Sequence, residues 1–178
     1  MSVDYKKLAA LQDIDIKILK EQHSKKEFPE SVESLKSEIS DTEENLEYLK
    51  DLLEKKMGEK TNTEQEIADA RESLDKSQER LSSIKTNKEY DAVHLEIEVQ
   101  KRIVTTGGDR IEELAEDIEG LLAEIKRTEE QLDKIKEANQ PKIDELEDKI
   151  SHIDSNIDKL IESRDEIKND LPVAELKR

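Results

Sequence analysis

The stretch Ile84-Lys85-Thr86-Asn87-Lys88-Glu89-Tyr90 decides the fold, because the apolar repeat changes phase across it. Before it, two interleaved series recur every seven residues. One is Val32, Ile39, Leu46, Leu53, Lys60, Ile67, Leu74 and Leu81; the other is Leu35, Thr42, Leu49, Lys56, Thr63, Ala70, Ser77 and Ile84. Series offset by three and four residues form the seam of a coiled coil. After the stretch the series are Tyr90, Ile97, Val104, Ile111, Ile118, Ile125 and Leu132, with Val93, Gln100, Gly107, Leu114, Leu121, Thr128 and Ile135. Had the first repeat continued, its next position would be Lys88 rather than Tyr90. A slip of two is neither of the insertions, three or four, that a continuous coil absorbs. The chain is therefore expected to reverse here, with Asn87 at the tip.

Thr105-Thr106-Gly107-Gly108-Asp109 is the competing turn, since paired glycines usually mark loops. The heptad phase passes through it unchanged, from Val104 to Ile111, so the pair is expected inside a helix. A further series, Ile143, Ile150, Ile157, Arg164 and Leu171 with Leu146, Ile153, Leu160 and Ile167, is offset by four from Asn139. That is a stutter at Gln140-Pro141, where proline is expected to kink the helix. Upstream, Leu8, Leu11, Ile14, Ile18 and Leu19 line a shorter helix, expected to end before Pro29 because Phe28 precedes a proline. With the tip at Asn87, facing residue numbers add to about 174, so Pro29 faces Glu145 and Pro141 faces Glu33. The reading is all-α: a long antiparallel coiled-coil helical hairpin, kinked near Pro29 and Pro141. Its parts are an N-terminal helix (1–28), a first arm (30–86), a second arm (87–171) and a tail (172–178). Lys56, Lys60 and Thr63 are polar gaps in the seam, facing Ile118, Leu114 and Ile111, with lysines expected to reach Glu113 or Glu116.

Composition agrees. Of 178 residues, 43% are charged and 2% aromatic, with four Gly and three Pro, which suits a fibrous chain better than a compact globule. There is no cysteine, hence no disulfide, no zinc-thiolate cluster and no cysteine nucleophile in this chain. No apolar run approaches a membrane span, and the opening Met1-Ser2-Val3-Asp4-Tyr5-Lys6-Lys7 lacks the apolar stretch of a secretory signal. The expected location is cytoplasmic. A net charge of -17 argues against nucleic acid as the main partner, because phosphate binding needs a basic surface.

Nothing in the sequence points to catalysis. His23, His94 and His152 stand apart among charged neighbours, with no metal-ligand spacing and no nucleophile-base pair. No enzyme, no metal site and no cofactor are expected from these residues. The tip is the one segment that breaks pattern: Lys85 and Lys88 interrupt an acidic chain, Tyr90 is one of four aromatics, and Asn87 can cap the following helix. It reads either as a capped turn with Tyr90 packed beneath it or as a displayed recognition loop.

Three segments carry a family resemblance: Leu8-x-x-Leu11-Gln12-x-Ile14-Asp15, Phe28-Pro29, and Thr86-Asn87-Lys88-Glu89-Tyr90-Asp91-Ala92-Val93 followed by Glu96-Ile97-Glu98. The chain resembles, over its whole length, bacterial coiled-coil hairpins that end in a C4-type zinc ribbon, the FlgZ-like and CdsZ-like proteins. The resemblance implies a non-enzymatic adaptor or regulator linked to RpoN-type sigma factors or to flagellar and type III secretion systems. It places candidate partner-binding residues at Asn87, Lys88, Glu89, Tyr90 and Glu96, to which the tip composition adds Lys85. The family's ribbon carries two Cys-x-x-Cys pairs, whereas this chain stops at Leu171-Pro172-Val173-Ala174-Glu175-Leu176-Lys177-Arg178. The expectation is a fragment, the alternative being a member that has lost the ribbon, with zinc expected only if a ribbon follows. Two other functions compete with the adaptor: a hairpin that enters RNA polymerase and presents Glu89 and Asp91 to a catalytic metal, and a structural or self-associating coiled coil, including a homodimer.

Overall fold

The computed structural model describes residues 5–170. Two helices account for nearly all of them: α1 (Tyr5–Leu81) and α2 (Asn87–Asn169), packed antiparallel as a hairpin. The expected reversal is found, with residues 82–86 as the connection. The expected tail, 172–178, lies outside the described residues.

Burial follows the predicted seam closely. Between residues 32 and 84 every residue that is not exposed belongs to one of the two heptad series, except Leu52. From 91 to 139 the exception is Gly108. The chain divides into two compact units, each taking a stretch of both helices. In the unit Thr42–Gln131 the core is Leu49, Ile67, Ala70, Val93, Ile97, Leu114 and Ile125, with Leu114 at 0% exposure. In the unit holding the two ends of the chain the buried apolar residues are Val32, Leu132, Ile143 and Ile153. There Asn139 is a buried polar residue; its Nδ2 donates to Glu38 Oε2 at 2.8 Å and lies 3.5 Å from the Leu35 carbonyl oxygen. A buried amide without such partners would cost about 1–3 kcal/mol.

Register matches the expectation near the tip and shifts beyond the stutter. The positions of Ile67 and Gly107, which pack against each other, add to 174. Ion pairs between residues that each follow a seam position add to 179 on the tip side of the stutter, at Lys50–Glu129, and to 183 beyond it, at Lys36–Glu147. The four extra residues in α2 have no counterpart in α1, so facing positions slide by about that amount. Phe28 accordingly has the ammonium of Lys149 6.0 Å from its ring centre.

One expectation is corrected. A break at Pro29 does not occur; α1 is a single helix with Pro29 inside it, and the separate helix over 1–28 does not exist as such. Pro141 likewise lies within α2. A proline inside a helix costs about 3 kcal/mol. Leu11, Ile18 and Val32 continue one α1 seam series upstream, and Ile14, Phe28 and Leu35 the other; all are withdrawn from solvent. Val32 is buried and the other five are half-buried; a fully buried side chain contributes roughly 1.5–3 kcal/mol and a half-buried one a fraction of that. Together they outweigh the proline.

The polar gaps resolve differently from expectation. Lys56 reaches neither Glu113 nor Glu116; its Nζ lies 2.9 Å from Asp117 Oδ2, and this hydrogen bond holds the Asp117 carboxyl below its ordinary range. Lys60 turns to Glu64 on its own helix, at 3.9 Å.

The glycine pair is helical, and neither glycine has a positive φ. The two differ in surroundings. A Cβ on Gly107 would come within 2.7 Å of Ile67 Cγ1 and 2.9 Å of Cδ1, so the arms approach closely there. A Cβ on Gly108 would meet open space. Gly108→Ala should therefore raise unfolding free energy by about 1 kcal/mol through helix propensity alone. Gly107→Ala should lose that gain or reverse it. Urea unfolding followed by circular dichroism checks this; equal gains at both sites would refute the close approach.

The hairpin tip as candidate functional site

The tip is built from two helix ends. α1 finishes with hydrogen bonds from Ser82 N to Glu79 O (3.3 Å) and Ser83 N to Arg80 O (3.0 Å). The two serine hydroxyls donate to the same carbonyls, at 2.7 and 2.9 Å. Carbonyls that the helix leaves unpaired at its end are thereby satisfied. α2 begins under a cap, but Asn87 does not supply it. Thr86 Oγ1 accepts from Glu89 N at 3.3 Å, and the Thr86 carbonyl accepts from Tyr90 N at 3.1 Å. Thr86-x-x-Glu89 is a capping-box spacing, so the signal was present one residue before the residue chosen. Asn87 is the first residue of α2.

Tyr90 separates the two readings of the tip. Placed by its heptad position under the turn, it is 48% exposed, its ring centre 5.9 Å from that of His94. Buried α2 positions start instead at Val93. Lys85, Asn87, Lys88 and Glu89 are exposed with it, so five of the six candidate residues share the turn and the first turn of α2. Glu96 is not among them. Its Oε2 accepts from Arg80 Nη2 at 2.9 Å and from Ser77 Oγ at 3.3 Å, tying α2 to α1 behind the tip. Glu96 braces the tip; the other five are displayed.

The three histidines stand apart from one another. His23, His94 and His152 each face one carboxylate a turn away on their own helix, at 3.5, 3.8 and 3.6 Å. Among the described residues there is no group of three or more His, Cys, Asp or Glu that could hold a metal ion. No helix among them is long and apolar enough to cross a membrane. A feature the sequence reading passed over is the row Leu95, Val99 and Ile103, exposed on α2 outside its seam. Its four-residue spacing was legible, but it was overshadowed by the stronger seam repeat.

No protein-family model matches this chain, and no curated relative does. Among solved structures it is similar to CT398 from Chlamydia trachomatis, with a TM-score of 0.79 and 17% identity over 97% of this chain and 73% of that one. At that identity the likeness shows a shared fold of two long hairpin helices.

Proposed function

We propose that the chain is a non-enzymatic protein-binding adaptor or regulator that engages its partner through the tip. The observation that carries this reading is the exposure of Tyr90 in the same turn as the exposed Lys85 and Lys88, at the tip of a hairpin whose net charge is -17. An exposed aromatic ring next to cations offers contact area and charge-assisted bonds to an acidic protein surface. It is held in place by the Thr86 cap and the Arg80–Glu96 pair, so little ordering entropy is spent on binding. The stretch Thr86–Val93 with Glu96–Glu98 supports membership of the zinc-ribbon hairpin family, and the fold shared with CT398 is compatible with it. On that reading the partners are an RpoN-type sigma factor or components of flagellar or type III secretion.

The test is a pull-down from lysate, and from purified sigma factor and export components, with wild-type chain and the Lys88→Ala/Tyr90→Ala variant. Loss of a specific partner, by about tenfold or more in affinity, is the expected result. Both positions are exposed, so helix content should not change. An unchanged partner set removes the tip from the function.

A further inference from the structure

The beginning of α1 carries a second seam. Tyr5, Ala9, Gln12, Ile16, Leu19 and His23 are spaced alternately by four and three and lie on the face turned away from α2. All six are exposed, Tyr5 at 77% and Leu19 at 64%. Alternating spacings of four and three are the pattern by which one helix packs along another. The opposite face, with Leu11, Ile14 and Ile18, already serves the hairpin.

Charge identifies the occupant. One place after Tyr5, Gln12, Leu19 and Lys26 come Lys6, Asp13, Lys20 and Glu27, whose signs alternate. The hairpin shows what such flanking positions do in an antiparallel pair. Lys50 follows the seam residue Leu49, Glu129 follows Thr128, and the two meet at 2.8 Å. Their numbers add to 179, five more than the seam pair Ile67–Gly107. Lys36 and Glu147, which follow Leu35 and Leu146, meet in the same way at 2.7 Å.

We infer that this face binds a second copy of the chain, the two α1 segments running antiparallel. Setting Ala9 opposite the partner's Leu19, and Gln12 opposite the partner's Ile16, applies that rule. It brings Lys6 to the partner's Glu27 and Asp13 to the partner's Lys20, each twice by symmetry. Sliding the copies by one heptad either way opposes like charges: Lys20 against the partner's Lys20 in one direction, Asp13 against the partner's Asp13 in the other. The alternation therefore selects one antiparallel register. Lys6, Asp13 and Lys20 form no ion pair with any described residue. Global repulsion does not oppose the contact locally, because residues 5–27 hold six lysines against four carboxylates in a chain of net charge -17.

Sedimentation equilibrium across a concentration series tests this with the intact chain. The wild type should dimerise. Lys20→Glu, which opposes the partner's Asp13 twice, should weaken dimerisation by about tenfold. Asp13→Lys combined with Lys20→Glu reverses both charges and should restore it. Both positions are exposed, so circular dichroism should be unaltered. A wild type that stays monomeric throughout overturns the inference and leaves the face to a different protein. A dimer indifferent to Lys20→Glu, or one the double variant fails to restore, overturns the antiparallel register. These outcomes are independent of the tip.

Discussion

Replacing Leu114 with alanine is expected to lower the unfolding free energy by about 2–5 kcal/mol, the range for truncating a fully buried leucine. Leu114 is at 0% exposure and lies at the level where α1 presents Lys60 and Thr63 rather than leucine or isoleucine. Leu122→Ala is the internal control. Leu122 is 52% exposed on the same helix, and its truncation should change stability by no more than about 0.5 kcal/mol. Urea unfolding of both variants, followed by circular dichroism, decides the matter. Comparable losses at the two sites would mean that burial at Leu114 does not set the local stability.

The second large effect has the opposite sign. Lys60→Leu combined with Thr63→Val should raise stability by roughly 2–3 kcal/mol, since both changes put apolar surface at seam positions already half withdrawn from solvent. What is lost is small. Lys60 has only a long intrahelical ion pair with Glu64 at 3.9 Å, and pairs of this kind contribute about 0.3–0.5 kcal/mol. The Thr63 hydroxyl donates to the Glu59 carbonyl, a local bond that its helix does not require. The melting temperature should rise by roughly 5–10 °C. A fall would show that residues 60–63 are not part of the packed seam. The polar seam and Gly107, which has no side chain to pack against Thr63 and Ile67, adjoin at this level, so amide exchange should be fastest here among the interior turns of α1.

Most of the fold was legible because heptad phase is a long-range signal. Val104 and Ile111 kept phase across Gly107-Gly108, and that outweighed the local preference of glycine for turns. The same rule applied at Pro29, where Leu11, Ile18 and Val32 also keep phase, would have carried α1 through the proline. There the local penalty of one proline competes with the repeat, and the repeat prevails. At the tip the signals were short-range and compete within one turn. Thr86 and Asn87 are both good caps, and Tyr90 falls on a seam position that the partner helix no longer reaches once α1 has ended at Leu81.

From the sequence alone came the two arms, the reversal near Asn87, the helical glycine pair and the stutter at Pro141, because each is a matter of counting sevens. Only the tertiary structure decided that α1 survives Pro29, that Lys56 chooses Asp117, that Glu96 is tied to Arg80, and that Tyr90 is exposed. Each of these depends on what the other helix places opposite. A side chain's burial and its choice among several nearby charges are properties of a pair of surfaces, and one strand of text contains only half of each pair.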